Sequence, residues 1–171
     1  MLKCEEKIAI ITGSAGGLGK EFANRLLQKG WSVCLSDINQ ALGEKSKQEF
    51  LDEFGIEKIL FVPCDVRKHK EVQNLFLETR KHFKTHNINL LVNNAGVADS
   101  DKLDWKTVTE INFMGVMIGT TIAMEEMSTQ GGTVINVASI LGLFCAGRPN
   151  GRYYIEYRNT LFNFLVLNNL E

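Results

Sequence analysis

The fold is decided by one stretch of the chain, Thr12-Gly13-Ser14-Ala15-Gly16-Gly17-Leu18-Gly19. It follows the apolar run Ile8-Ala9-Ile10-Ile11 and precedes an amphipathic segment that extends from Lys20 to Gln28. A strand, a glycine-rich turn and a helix in this order are the context of a dinucleotide-binding turn. Glycine turns also join strands and helices that bind nothing, so the flanking segments carry this prediction together with the glycines.

The glycines of this turn have different expected tasks. Gly13 permits a tight exit from the strand, while Gly17 and Gly19 let the backbone approach a pyrophosphate and let the helix pack closely on the sheet. A helix that begins near Gly17 directs its unpaired N–H groups at the phosphates. We therefore predict cofactor contacts at Gly13, Ser14, Gly17, Leu18 and Gly19.

An acidic residue, Asp37, follows the next apolar run, Trp31 to Ser36, and lies 18 residues after Gly19. A carboxylate near this position accepts hydrogen bonds from the ribose of an adenosine. It would also repel a 2′-phosphate, and its neighbours in the sequence supply no positive charge, so NAD is favoured over NADP. The alternative is that Asp37 caps the helix that follows Asn39.

The composition is that of an ordinary globular chain. Its 171 residues suit a single domain over 1–171, with 44% apolar and 23% charged residues and a net charge of −1. We expect no nucleic-acid partner because there is no basic tract, no membrane span because the apolar runs are short, and no signal peptide. The cysteines lack metal-ligand spacing, which predicts no metal and unpaired thiols in a reducing cytoplasm. They are Cys4, Cys34, Cys64 and Cys145.

Apolar runs alternate with helical stretches along the chain. The expected strands are 7–12, 31–36, 58–63, 88–92 and 133–138, and the expected helices are 17–29, 40–54, 68–83, 104–127 and 153–169. Nearly continuous apolar strands are typical of a parallel sheet that is covered on both faces. The alternation predicts an α/β fold with a doubly wound, Rossmann-like parallel sheet in the order 3-2-1-4-5, with ligands at the carboxyl ends of the strands.

Four further segments complete the pattern: Cys64-Asp65-Val66, Asn93-Asn94-Ala95-Gly96, Glu110-Ile111-Asn112 and the strand end that finishes at Ser139. With the glycine turn and Asp37, they resemble the short-chain dehydrogenase/reductase family. The resemblance implies a nicotinamide-dependent interconversion of a secondary alcohol and a ketone. It also implies cofactor contacts from Asp65, Val66, Asn93, Ala95 and Gly96.

The resemblance implies catalytic roles for Asn112, which fixes a water in a proton relay, and for Ser139, which hydrogen-bonds the substrate oxygen. The alternatives are a solvated helix residue at Asn112, a strand-end turn residue at Ser139 and a purely structural role for Asn93. The family also uses a tyrosine base with a lysine four residues later, because an adjacent positive charge favours the phenolate. Here only Tyr154 has a cation at that spacing, and the cation is Arg158.

The end of the chain departs from the family pattern. Arginine is broader and more planar than the ammonium group of lysine, and Arg158 could instead be a solvated helix residue. The family continues beyond the position of Glu171 with two further strands and a substrate lid. We therefore expect weak or no turnover from these 171 residues.

The sequence leaves three hypotheses open. The first is an NAD-dependent dehydrogenase of an apolar secondary alcohol, located in the cytoplasm. The second is a non-catalytic NAD-binding protein that pairs with a relative or with itself through the helical stretches 104–127 and 153–169. The third is an unstable product without a function.

Overall fold

A computed structural model of the chain describes residues 7–85, 87–97 and 104–139. The strands are β1 (Ile8–Thr12), β2 (Ser32–Asp37), β3 (Ile59–Pro63), β4 (Leu90–Asn93) and β5 (Thr133–Asn136). The helices are α1 (Gly17–Gln28), α2 (Gln40–Phe54), α3 (His69–Phe83), α4 (Trp105–Thr109) and α5 (Gly115–Glu126). A 3₁₀ turn, Ile56–Lys58, precedes β3, and a π-helical turn, Glu110–Met114, joins α4 to α5.

The strands form one parallel sheet in the order β3-β2-β1-β4-β5, as predicted. Ile11 of β1 lies opposite Leu35 of β2 on one side and Val92 of β4 on the other. The chain starts at the centre with β1, builds outward to β3, and then returns to place β4 on the other side of β1. This change of direction opens a crevice beyond the carboxyl ends of β1 and β4, where ligands bind in sheets of this kind.

Two apolar layers cover the sheet, which is why the strands lack simple polar alternation. One layer unites side chains of α3 and α5 with strand residues such as Ile10 and Leu91, all fully buried. The other unites α1 and α2 with Ile11 and Leu35. Gly43 of α2 lies so close to the ring of Phe61 that any side chain there would overlap it, so α2 packs tightly on β3.

The predicted elements agree with the structure to within one or two residues at most ends, and the predicted α/β Rossmann-like fold is confirmed. The main difference is in the stretch 104–127. There the helix contains a π-helical turn, in which the amide of Gly115 donates to the carbonyl oxygen of Glu110, five residues earlier. The side chain of Asp104 caps this helix by accepting from the amide of Thr107 at 2.8 Å.

The helical run Trp105–Glu126 has the length and composition of a membrane span, with 22 residues and a mean hydropathy of 1.2. The expectation from short apolar runs did not foresee this. In the structure, 33% of the most apolar 18-residue stretch of this run is buried. Helices that pack on a protein core pass the same test, so this run alone is weak evidence for a membrane span.

Candidate functional site

The glycine turn adopts the close-packed geometry that the sequence predicts. Gly13 has a φ of +64°, and a Cβ atom there would lie 2.7 Å from the Cα atom of Ala95. A Cβ atom on Gly19 would overlap the carbonyl oxygen of Gly13. Gly17 also has a positive φ, +54°, but a Cβ atom there would meet nothing within 4 Å. The first two glycines therefore permit close packing, while Gly17 faces open space that a ligand can occupy.

The first turn of α1 has the features of an anion-binding site. The preceding residue, Gly16, provides no side-chain cap, and the first turn carries no acidic residue. The first N–H groups of a helix have no partner within the helix, and together with the helix dipole they attract phosphate. Leu18, in the same turn, is 56% exposed. This end of α1 fits the pyrophosphate of a dinucleotide.

Ser14 supports the turn from behind. It is fully buried, its amide donates to the carbonyl oxygen of Ser36 at 3.0 Å, and its hydroxyl donates to that of Ile11 at 2.9 Å. The hydroxyl also accepts from the amide of Ser36 at 2.8 Å. The side chain of Ser14 therefore binds the turn to β2, and its cofactor contact stays a prediction.

Asp37 is the last residue of β2 and lies beside the turn. Its Oδ2 atom accepts from the amide of Ala15 at 3.0 Å, and its Oδ1 atom accepts from the amide of Asn39 at 2.9 Å. The cap of α2 is Asn39, whose side chain accepts from the amide of Leu42. Asp37 is therefore not the helix cap. Each of its carboxylate oxygens keeps a further lone pair, so the half-buried carboxylate fits a ribose diol.

The loop after β4 is fastened to the glycine turn through Thr12 and Asn94. The hydroxyl oxygen of Thr12 accepts from the amides of Asn94 and Ala95, both at 3.1 Å. The side-chain amide of Asn94 donates to the carbonyl oxygens of Thr12 and Gly13, at 2.9 and 3.0 Å. Ala95 is half-buried and Gly96 is exposed, so this segment forms the wall of the crevice opposite the turn.

Asn93 faces the interior. It is 3% exposed, and its amide nitrogen donates to Oδ1 of Asn136 at 2.8 Å and to the hydroxyl of Thr120 at 3.2 Å. Gly119 of α5 has no side chain, which leaves room for this amide. The geometry agrees with the structural alternative for the side chain of Asn93. The sequence signal for its partner was Asn136, a polar residue at the end of an otherwise apolar strand.

Asn112 lies at the centre of the π-helical turn and holds the loop that follows Gly96. Its Oδ1 atom accepts from the amide of Val97 at 2.9 Å, and its Nδ2 atom donates to the carbonyl oxygen of Val97 at 2.9 Å. Asn112 is therefore not merely a solvated helix residue. π-Helical turns often occur at functional sites, and this one places Asn112 beside the crevice wall.

Asp65 follows β3 and is 6% exposed. Arg67 was not predicted from the sequence. Its Nε atom donates to Oδ1 of Asp65 at 2.9 Å and its Nη2 atom donates to Oδ2 at 2.7 Å. The hydrogen bonds from Arg67 hold the pKa of Asp65 below its ordinary value, against the effect of burial. The amide of Asp65 donates to the carboxylate of Glu71 at 2.8 Å. The adjacent Val66 is half-buried.

Ser139 is half-buried and follows β5 at the same carboxyl edge of the sheet. The predicted catalytic residues Tyr154 and Arg158 lie outside the described residues, as does the predicted helix over 153–169. The structure thus brings the glycine turn, Asp37 and the loop after β4 to one crevice, with Asn112 attached to its wall. These residues fit a dinucleotide, because an open glycine, an uncapped helix end and an anchored carboxylate lie together.

Comparison with known proteins places this arrangement in a family. A profile described as "short chain dehydrogenase" matches residues 7–154. The mouse 15-hydroxyprostaglandin dehydrogenase [NAD(+)] is 39% identical over 80% of this chain and 51% of its own length. The 3beta-hydroxysteroid dehydrogenase 2 of Eggerthella lenta is 34% identical over 85% of this chain and 57% of its own.

A solved structure has the same fold. The short chain dehydrogenase/reductase from Burkholderia phymatum, described in complex with NAD, superposes with a TM-score of 0.80 at 27% identity. The match covers 94% of this chain and 58% of the other. The chain therefore spans little more than half the length of the relatives that it matches. Profile, relatives and fold agree, and the chain belongs to the short chain dehydrogenase family.

Proposed function

We propose that this chain is the cofactor-binding part of an NAD-dependent dehydrogenase that interconverts a secondary alcohol and a ketone. The observation that carries the proposal is Asp37, whose carboxylate is held against the glycine turn by the amide of Ala15. An acceptor-only carboxylate at this position favours an unmodified ribose over a 2′-phosphorylated one. The mouse and Burkholderia proteins, described with NAD in their names, support the same choice.

The residues of the crevice would divide the work of binding. The amides at Gly17 and Leu18 would receive the pyrophosphate, Asp37 would receive the ribose diol, and the segment after β3, Asp65 and Val66, would lie beside the adenine. Bound NAD would supply the acceptor for the hydride that leaves the carbon bearing the hydroxyl group. The segment Ala95-Gly96 would close the opposite wall, with Gly96 leaving the backbone bare for close approach.

The chemical roles follow the family resemblance. Ser139 would hydrogen-bond the substrate oxygen, Tyr154 would remove the hydroxyl proton, and Arg158 would favour the phenolate through its charge. Asn112, which lies beside Val97, would hold a relay water nearby. The relatives that are named for prostaglandin and steroid alcohols support an apolar substrate, such as a 15-hydroxylated lipid.

Replacement of Asp37 tests the cofactor preference. We expect Asp37→Ala to weaken NAD binding about tenfold and to reduce discrimination against NADP, because it removes charge-assisted hydrogen bonds and the repulsion of a phosphate. Titration calorimetry with both nucleotides measures the change. Asp52→Ala, on the exposed side of α2, is the matched control and should bind NAD like the unaltered chain. Equal affinity of the unaltered chain for NAD and NADP would contradict the proposal.

Turnover is tested with NAD and a panel of secondary alcohols that includes 15-hydroxylated fatty acids. We expect rates well below the range of ordinary enzymes, about 1 to 1000 per second, because Arg158 replaces the compact ammonium of a lysine. Any turnover should be lost in Tyr154→Phe, which keeps the ring and removes the base. Activity unchanged in that variant would remove Tyr154 from the mechanism.

A second candidate function, pairing with another copy of this chain, is supported by the outer face of the helical run. Met114, Met117 and Met124 lie on it and are 47%, 48% and 46% exposed. Flexible methionines are frequent at binding surfaces. We expect Met117→Glu to shift a self-associated species to monomer in sedimentation velocity, while Lys81→Glu on α3, also exposed, leaves it unchanged. A monomer at all concentrations would contradict self-pairing.

The location of the protein is proposed as cytoplasmic. Cys34 and Cys64 are buried and free, and burial raises the pKa of each thiol to about 12. Neutral buried thiols suit a reducing compartment. Fractionation of cells that express the tagged chain tests this proposal, and recovery in the membrane pellet would contradict it.

A further inference from the structure

The π-helical turn, Glu110–Met114, contacts two loops of the carboxyl edge at once. Asn112 holds the loop after β4 through both backbone groups of Val97, at 2.9 Å each. On the other side, the segment after β3 packs against the end of the turn: a Cβ atom on Gly115 would lie 2.8 Å from Cγ2 of Val66. The turn therefore lies between the segment of Asp65 and the segment of Val97.

A single side chain links the first of these loops to the turn by charge. The guanidinium of Arg67 binds Asp65 with Nε and Nη2, and its remaining nitrogen, Nη1, lies 3.7 Å from the carboxylate of Glu110. Because a guanidinium is planar and its donors are fixed, the grip on Asp65 also determines where Nη1 points. Glu110 is the first residue of the π-helical turn.

Beside the contact of Val66 with Gly115, an opening remains between the loop and the turn. An open cavity of about 450 Å³ lies between the loop after β3 and the helical run. Its lining residues are Asp65, Arg67, Lys68, Glu110, Met114 and Ile118. Without Arg67, the carboxylates of Asp65 and Glu110 would border the same cavity with like charge, which is unfavourable. The positive charge of Arg67, on the loop after β3, attracts Glu110 and so holds the π-helical turn near this loop, where the cavity leaves side-chain packing incomplete.

We propose that Arg67 is a positioning residue: its bridge from Asp65 to Glu110 sets the π-helical turn and thereby the grip of Asn112 on Val97. The catalytic significance rests on the proposed function, in which Asp65 lies beside the adenine and Asn112 serves the proton relay. The bridge then connects Asp65, at the adenosine end of the cofactor site, with Asn112, at the catalytic end, through the π-helical turn.

Hydrogen exchange at the amide of Val97 tests the proposal without any ligand, because that amide donates to Asn112. We expect Arg67→Met to speed its exchange about tenfold, Glu110→Gln to speed it less, and Arg67→Lys to fall between Arg67→Met and the unaltered chain. Exchange at Leu35, which is fully buried in β2, reports global stability and should speed only as far as the free energy of unfolding falls. Arg80→Met is the matched control, because it removes another arginine–glutamate bridge, to Glu126 at the far end of the same helical run.

Unchanged exchange at Val97 in both Arg67→Met and Glu110→Gln would overturn the proposal. So would an equal increase in Arg80→Met, since that would indicate general loosening. If Arg67→Met fails to fold, Glu110→Gln carries the test, because the side chain of Glu110 is 55% exposed and its replacement leaves the core intact.

A second measurement adds AMP as the probe of the adenosine end. In the unaltered chain AMP should slow exchange at Val97, and in Arg67→Met it should slow exchange only within the adenosine site near Asp37. Equal slowing at Val97 in both proteins would overturn the coupling. Absence of slowing anywhere, with AMP or NAD, would instead contradict the proposed cofactor function and leave the unliganded comparison to decide the role of Arg67.

Discussion

The two halves of the sheet differ in what holds them together. In the first half, every residue of β1 is buried and β2 is buried except for its last residue. In the second half, β5 alternates between half-buried and buried residues, and Ile135 is only partly covered. The ends of β4 and β5 are instead joined by the buried amides of Asn93 and Asn136. Apolar packing covers both halves, since all four residues of β4 are also buried, and the half that leads to Ser139 is in addition fixed by the buried amide pair at the ends of its strands.

The largest expected loss of stability is found by comparing two isoleucines, Ile11 and Ile135, on the same face of the sheet. Ile11→Ala should lower the free energy of unfolding by about 4 kcal/mol, because Ile11 is fully buried between strands and helices. Ile135→Ala should cost about 1 kcal/mol, because part of this side chain is already exposed. Urea unfolding measures both. Equal losses would show that the second half is as well packed as the first.

An intermediate effect is expected from the buried amide pair. Asn136→Ala should lower the free energy of unfolding by about 2 kcal/mol, because it leaves the amide of Asn93 without its better acceptor at 2.8 Å. The double replacement of Asn93 and Asn136 by alanine should cost less than the sum of the two single replacements. Strict additivity in chemical denaturation would remove this pair as the element that fixes the second half.

The smallest expected effect concerns Arg67 and acid. The pKa of Asp65 is lowered in the folded state, chiefly by hydrogen bonds from Arg67, so the pair stabilises the fold above the ordinary aspartate pKa, 3.8. This stability is lost as pH falls through the lowered folded pKa. Arg67→Met should cost about 1 to 2 kcal/mol at pH 7, with allowance for the one-third exposure of Arg67.

The difference between Arg67→Met and the unaltered chain should therefore shrink as pH is lowered below 3.8. Thermal unfolding at several pH values provides the measurement, and Lys81→Met, which removes an exposed cation of α3, serves as the control. A difference that stays constant down to pH 2 would mean that Arg67 acts through packing of its side chain and not through its charge.

The sequence predicted the strand order and the glycine turn because both depend on local patterns. Continuous apolar runs require a covered parallel sheet, and Gly13 and Gly19 sit where any side chain would clash. The position of Asp37 beside the turn followed from its distance along the chain, while its ribose contact stays a prediction. The prediction that residues 1–171 form one domain, and the catalytic roles of Tyr154 and Arg158, stay predictions.

Other features depend on contacts between distant segments and could not be predicted. Asn93 shares its motif with Asn94, yet one points into the core and the other binds the glycine turn. Only the position of Gly119 and Asn136 in space decides between them. Likewise, Arg67 is followed by the polar residues Lys68, His69 and Lys70, which suggest a solvated surface, and its bridge to Glu110 depends on tertiary packing across 43 residues of sequence.

The π-helical turn also constrains how this chain tolerates insertions and deletions. It accommodates one more residue than a regular turn, which lets Val108 before it and Val116 after it both face the core. A regular helix of the same length would rotate one end by about 100° relative to the other and turn the buried side of α5 toward solvent. Removal of one residue between Glu110 and Met114 would instead give a regular helix with both valines still on the buried side. Such a deletion would remove the π-helical geometry around Asn112 while leaving the packing of α5 in place.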